Sequence, residues 1–142
     1  MGRLYETAAD LRNEAVAIAT LCAALGCEAV KLPLMARADH MLISDGEART
    51  VVEFKRRRTR RRAYDTYMVS KGKHDALLGW TDKGFKAALL VQWADELAYV
   101  MLPVEHEVSE GGRRDRGDPR DIEEVVHIPV EHFKTVMYGG AK

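Results

Sequence analysis

Two short apolar runs flank the dipeptide Asp45-Gly46, and this pattern constrains the fold more than any other part of the sequence. Ala38 to Ser44 and Arg49 to Lys55 contain the valine, leucine and isoleucine residues that favour β-strands. An Asp-Gly dipeptide between two such runs is typical of a tight hairpin turn. The sequence therefore predicts an antiparallel pair of strands in the first half of the chain.

The periodicity on either side of this hairpin predicts an α/β (α+β) fold. Apolar residues recur at helical spacing over Ala8 to Leu25 and again over Tyr64 to Trp80. Glu28 to Leu34 is a strand-like run before the hairpin, and Lys86 to Trp93 and Leu97 to Leu102 follow the second helix. The order helix, three strands, helix, two strands predicts a central mixed β-sheet flanked by helices.

Length and composition favour one domain over residues 1–142. The apolar share of 46% and the charged share of 31% are those of a soluble globular protein. Neither a signal peptide nor a membrane-spanning segment is recognisable, so we expect a cytoplasmic protein without membrane contact. Residues 105–124 have almost no large apolar side chain, and we expect a mobile loop there. Val125 to Pro129 is expected to be a short strand, and Glu131 to Met137 a closing helical turn.

The run Val51-Val52-Glu53-Phe54-Lys55 carries the main chemical signal. Side chains alternate along a strand, so Glu53 and Lys55 share one face while Val52 and Phe54 point to the other. A carboxylate on an otherwise apolar strand is unfavourable to bury unless something compensates its charge. A divalent cation shared with Asp39 would compensate it.

This metal hypothesis requires a hairpin register that places Asp39 and Glu53 on the same face of the sheet. With a plain two-residue turn, Asp39 would lie opposite Val52, and Asp39 and Glu53 would face opposite sides. One extra residue restores Asp39 to the face of Glu53, and bulges are frequent beside active sites. We therefore predict a bulge or a three-residue connection between Ser44 and Thr50.

Asp39 followed by Glu53-Phe54-Lys55, after a helix that bears Glu14, resembles the motif of the PD-(D/E)xK nuclease superfamily. Ala38 stands where the family motif has proline. The order of elements is similar to the restriction-endonuclease-like core of that superfamily. Size and layout resemble small phage-encoded nucleases and Holliday-junction resolvases.

The resemblance implies a metal-dependent endonuclease that hydrolyses phosphodiester bonds of DNA. Asp39, Glu53 and the backbone carbonyl of Phe54 would bind Mg²⁺, for which Mn²⁺ substitutes, and no organic cofactor is expected. Glu14 would complete the metal shell or hold a second ion, and Lys55 would orient the attacking water or stabilise the developing charge. Resolvase-like relatives further imply a branched or structured substrate, a homodimer, and a phage or prophage origin.

Six arginines within seven residues begin directly after Lys55: Arg56, Arg57, Arg58, Arg60, Arg61 and Arg62. We expect them to contact phosphates, because guanidinium groups bind phosphate oxygens well. The second helix packs beside the active site in the superfamily, so the resemblance implies that Ser70 and Lys73 join them, with a solvated surface lysine as the equal alternative for Lys73. Such contacts read no bases and imply little sequence specificity. The run could instead be a solvated linker that protects a sheet edge. Large aromatic residues are expected to pack in the core or at its rim, and a base-stacking platform is the alternative: Tyr64, Tyr67, Trp80 and Trp93.

Two other functions are compatible with the sequence. The chain could be a nucleic-acid-binding module that keeps the nuclease fold without cutting. It could also be an interaction subunit of a larger assembly, with residues 105–124 as a docking loop. The choice between DNA and RNA, duplex and branched substrate, endonuclease and exonuclease action, and one or two metal ions stays open at this level.

Overall fold

A computed structural model of the protein describes residues 8–112 and 122–139. In this part of the chain, two α-helices, α1 (Ala8–Leu25) and α2 (Lys71–Leu78), accompany nine β-strands. The strands are β1 (Glu28–Lys31), β2 (His40–Ser44), β3 (Glu47–Arg56), β4 (Thr66–Ser70), β5 (Lys86–Gln92), β6 (Glu96–Leu102), β7 (Glu107–Gly112), β8 (Ile122–Pro129) and β9 (Lys134–Tyr138). Neither helix is long and apolar enough to cross a membrane.

The strands form two sheets, and the larger one confirms the predicted central mixed sheet. Its order is β1-β2-β3-β5-β6-β9, in which β3 and β5 run parallel and every other neighbouring pair is antiparallel. Two parallel strands need a long crossover connection between them. The connection from β3 to β5 contains β4 and α2. The smaller sheet has the order β4-β8-β7. The fold is therefore α+β, compatible with a restriction-endonuclease-like core.

The large sheet separates two apolar clusters, and alternation along β3 assigns its side chains to them. On one face, Val52 packs with Leu21 of α1. On the other face, Val51 packs in the cluster that contains Leu77 of α2 and Ile128 of β8. Residues two and four positions after Val51 on β3 share its face, so the fold directs them toward the layer built by α2 and the smaller sheet.

The β2–β3 hairpin contains the predicted irregularity. Asp45 and Gly46 have φ values of 53° and 77°, the left-handed pair that a type I′ turn requires. The register passes from Ile43↔Ala48 directly to Leu42↔Thr50, so Arg49 is an extra residue on β3. This bulge lies between Ser44 and Thr50, where the sequence predicts it.

The predicted helix from Tyr64 to Trp80 is wrong in its first part, because Thr66–Ser70 forms β4. The side chains of Tyr67 and Val69 are buried, while Met68 between them is exposed. The alternating burial and the pairing with β8 show that this segment is a strand, although its apolar spacing alone is also compatible with a helix. The helix begins only after Ser70.

The expected loop at residues 105–124 is also wrong in part. Glu107–Gly112 forms β7, which pairs with β8, and β8 already begins at Ile122. Residues 113–121 of the expected loop lie outside the described residues. Backbone hydrogen bonds hold an edge strand without a run of apolar side chains, which is why composition did not indicate β7. The expected strand Val125 to Pro129 is confirmed within β8.

The closing helical turn expected over Glu131 to Met137 is replaced by two elements. A short 3-10 turn covers Val130–His132, and β9 follows as an edge strand of the large sheet. Pairing of β9 with β6 provides the backbone partners that a helix would otherwise supply.

Candidate functional site

A cleft of about 440 Å³ opens beside β3 and the first turn of α2. Asp39 and Glu53 both line it, so the fold brings together the two carboxylates that the sequence singles out. The hairpin register produces this arrangement, because His40 pairs with Val52 and the residues next to them are therefore neighbours. The bulge at Arg49 is what aligns them.

The two carboxylates are held close to the backbone of β3. The backbone N–H of Asp39 donates to the carbonyl of Val52 at 3.0 Å, and Oδ2 of Asp39 accepts from the N–H of Phe54 at 2.7 Å. Glu53 is buried, with 4% of its surface exposed. Burial and the negative charge of Glu53 raise the pKa of Asp39, against the stabilising hydrogen bond from Phe54. The carboxylates of Asp39 and Glu53 therefore repel each other, and a cation bound between them would relieve this repulsion.

Two ammonium groups lie on the other side of Glu53. Nζ of Lys73 is 2.9 Å from Oε2 of Glu53, and Nζ of Lys55 is 3.4 Å from the same oxygen. Burial and the neighbouring ammonium of Lys73 lower the pKa of Lys55, and the charge of Glu53 opposes this effect. The sequence predicts the proximity of Lys55 to Glu53, but it does not predict that Lys73 is a second ion-pair partner.

Glu14 lies on α1 and is buried, with its carboxylate occupied by two partners. Its Oε2 contacts Nε2 of His40 at 2.7 Å and Nζ of Lys31 at 2.5 Å. Burial alone would raise the pKa of Glu14, but the hydrogen bonds from His40 and Lys31 lower it to about 2. The negative charge of Glu14 also contributes to the raised pKa of Asp39. These contacts connect Glu14 of α1 to Lys31 of β1 and His40 of β2, and its expected role as a metal ligand stays a prediction.

The carboxylate pair suits a small hard cation. Across residues 8–112 and 122–139, no group of three or more histidine, cysteine, aspartate or glutamate side chains could hold a metal. Mg²⁺ does not require such a group, because it retains several waters and is commonly bound by one or two carboxylates. Asp39 and Glu53 form such a set, and their mutual repulsion within one cleft is the observation that fits a cation there.

The structure divides the arginine run into groups with different roles. Arg61 is buried, pairs with Glu96 at 2.7 Å and donates to the backbone carbonyls of Val130 and Phe133 at 2.6 Å. It is a structural residue and is not available for the expected phosphate contact. Arg57 is half-buried and donates at 3.1 Å to a backbone carbonyl of β4.

The other arginines of the run are exposed. Arg60 lies 3.8 Å from Asp95, whereas the side chains of Arg56, Arg58 and Arg62 form no hydrogen bond or ion pair with the described residues. For these three, phosphate contact stays a prediction.

Two further observations concern residues that line the cleft. Ser70 caps α2, since its Oγ accepts from the backbone N–H of Lys73 at 3.2 Å. Its expected role in nucleic-acid contact is therefore joined by a structural one. Lys31 and Arg37 also line the cleft, and sequence reasoning missed both. Arg37 has a φ of 61°, which no local pattern indicates.

Comparison with known families gives one match. Residues 1–136 match the model of a family described as "Phage putative PDDEXK endonuclease". A comparison with curated proteins gave no match. The matched region includes all of the residues that line the cleft.

Proposed function

Because the chain belongs to this PDDEXK endonuclease family of phage, we propose that it is a Mg²⁺-dependent endonuclease that hydrolyses phosphodiester bonds of DNA. One observation carries the proposal: Asp39 and Glu53 line one cleft, and two ammonium groups lie against Glu53. Phosphodiester hydrolysis needs a metal-bound water and positive charge near the phosphoryl oxygens, and this arrangement supports both.

Asp39 and Glu53 would hold Mg²⁺, or Mn²⁺ in its place, together with the backbone carbonyl of Phe54. The ion supplies Lewis-acid polarisation of the phosphate and lowers the pKa of a bound water. Lys55 places a fixed positive charge beside Glu53, where it stabilises negative charge that develops on the phosphoryl oxygens. Lys73 pairs with the same oxygen of Glu53 and would help to hold its carboxylate in the cleft.

We propose that the exposed arginines after β3 bind the DNA backbone on one side of the scissile bond. Arg56 is the last residue of β3, and Arg58 and Arg62 lie in the segment that follows it. They contact phosphates without reading bases, which supports weak sequence specificity and a structured or branched substrate. The homodimer implied by resolvase-like proteins is a separate prediction, and the chemistry of one cleft does not depend on it.

The decisive experiment compares the wild type with Asp39→Asn on linear, flapped and four-way DNA in Mg²⁺. We expect the substitution to reduce cleavage on the order of a thousandfold, because the metal contributes several kcal/mol of charge stabilisation. Asp82→Asn, an exposed aspartate outside the cleft, serves as the matched control and should cleave normally. Cleavage that survives in Asp39→Asn would place the active site elsewhere.

Thermal unfolding of the same proteins separates metal binding from cleavage. A carboxyl group whose pKa is raised by folding destabilises the folded state once it is ionised, so stability falls as pH rises through that pKa. Metal-free Asp39→Asn should therefore melt above the wild type at neutral pH, and Mg²⁺ should raise the Tm of the wild type alone.

Salt-dependent DNA binding without any cleavage, unaffected by Glu53→Ala, would instead indicate a binding module.

A further inference from the structure

A second groove, of about 470 Å³, lies between the segment after β3 and the strand β4. Among the described residues, none lines both this groove and the catalytic cleft. The two are nevertheless connected along β4, because Met68 at the groove precedes Ser70 at the cleft by two residues, a rise of about 7 Å along a strand. A polymer that occupies the cleft can therefore continue into the groove.

The groove carries uncompensated positive charge. No aspartate or glutamate is present among the described residues that line it, whereas four arginines are. Arg60 and Arg61 have carboxylate partners, but Arg57 and Arg58 have none within the described part of the chain. Hydrogen bonds to the Tyr67 hydroxyl and a backbone carbonyl fix the guanidinium of Arg57 in place. The groove therefore suits an anionic ligand.

The same groove exposes large apolar side chains. Tyr64 is 68% exposed and Met68 is 56% exposed, and both line it. Tyr64 therefore does not lie in the core, whereas Tyr67 and Trp93 pack together beneath the groove, with ring centroids 6.0 Å apart. A ligand that satisfies this surface has a flat apolar face as well as negative charge. A nucleotide with an unstacked base has both, whereas base pairs within a duplex hide their faces against each other.

We propose that this groove binds an unpaired nucleotide of the DNA strand next to the scissile phosphodiester. The base lies against Tyr64 and Met68, and the phosphate lies at Arg57 and Arg58. This inference rests on the proposed function and specifies its substrate as DNA with a single-stranded segment beside the cleavage site. Phosphate contacts alone bind any backbone, so the exposed ring of Tyr64 supplies the preference for unpaired DNA.

The test measures binding of a labelled oligothymidylate and of a blunt duplex by fluorescence anisotropy in buffer without divalent ions. Tyr64→Ala should weaken oligothymidylate binding about tenfold, which corresponds to the loss of one base–aromatic stack. Tyr64→Phe keeps the ring and should bind like the wild type, and duplex binding should not change in either variant. Tyr138→Ala removes another exposed tyrosine, 78% exposed on β9, and should leave all binding unchanged.

The inference is overturned if wild type fails to bind oligothymidylate, or if Tyr64→Ala binds it normally. It is equally overturned if duplex binding falls in parallel, or if Tyr138→Ala loses the same affinity. Because the assay needs neither metal nor cleavage, its outcome is independent of the nuclease activity. If the protein cleaves DNA but Tyr64→Ala binds oligothymidylate normally, the proposed nuclease function stands and only the role of the groove is contradicted.

Discussion

At the scale of single residues, Arg37 combines backbone strain with a place in the catalytic cleft. Its φ of 61° is in the left-handed region, where a residue with a side chain loses about 1–2 kcal/mol. Asp45 also has a positive φ, but the hairpin turn requires it there. Arg37 directly follows the 3-10 turn Leu34–Ala36, at the position where a left-handed residue, usually glycine, often ends a helix.

We expect Arg37→Gly to change stability and activity in opposite directions. Relief of the backbone strain stabilises the folded state, whereas the greater flexibility of glycine in the unfolded chain offsets part of this gain. The net effect should raise the free energy of unfolding by roughly 0.5–1 kcal/mol. Loss of the guanidinium from the cleft should lower kcat/KM for DNA about tenfold, the equivalent of one charged hydrogen bond. Chemical denaturation and cleavage assays measure the two effects. Arg37→Ala is the control that loses the charge and keeps the strain, and a parallel fall of both properties in Arg37→Gly would contradict the prediction.

The sequence predicted those site residues whose positions depend on local geometry. Asp39 and Glu53 are brought together by one hairpin, and the alternation of a strand places Lys55 on the face of Glu53. Arg61 could not be separated from its neighbours in the run, because only its burial against Glu96 gives it a structural role. Arg37 was missed since its position depends on the conformation of a loop.

At the scale of elements, the start of α2 connects stability to the cleft. Ser70 ends β4 and caps the helix, and Lys73 both donates its backbone N–H to that cap and places its ammonium on Glu53. The first turn of α2 therefore positions the ammonium group of Lys73 beside Glu53.

Ser70→Ala should lower the free energy of unfolding by about 1 kcal/mol, as loss of an N-cap usually does. The loosened first turn should also weaken the contact of Lys73 with Glu53 and reduce cleavage. Ser70→Thr retains a capping hydroxyl and should restore most of both properties. Stability by denaturant titration and initial cleavage rates test this, and unchanged stability in Ser70→Ala would remove the capping role.

The elements that the sequence did not predict correctly are those decided by pairing across the fold. Thr66–Ser70 has the spacing of a helix but pairs with β8, and β9 replaces an expected helical turn by pairing with β6. Glu107–Gly112 gives no apolar signal, because its pairing uses backbone groups. Strand β5 was predicted well because burial on both faces makes it almost continuously apolar. Strand β3 was predicted well because its valines follow a typical hairpin dipeptide.

At the scale of the whole molecule, Arg61 ties distant parts of the chain together. From the segment between β3 and β4 it reaches Glu96 on β6, the carbonyls of Val130 and Phe133, and Thr135 on β9. Every one of these partners is more than thirty residues away in sequence. This buried network fixes the start of the second groove against the outer strand of the large sheet.

Arg61→Ala should lower the free energy of unfolding by about 3–5 kcal/mol, because it leaves the buried carboxylate of Glu96 without its partner. Arg62→Ala, its exposed neighbour, should change the stability by no more than about 0.5 kcal/mol. Urea titration of both variants measures the difference. Equal stability of the two would show that the network adds nothing to the fold.

The lining of the catalytic cleft comes entirely from the stretch between Lys31 and Ala76, well short of the end of the chain. A genetic crossover beyond β5 would therefore exchange the outer strands and transmit the reactive groups intact. The incoming strands would need to match the apolar faces that they cover and to keep the groups that bind Arg61. Under those two conditions, substitutions in the second half of the chain would leave the groups of the cleft in place.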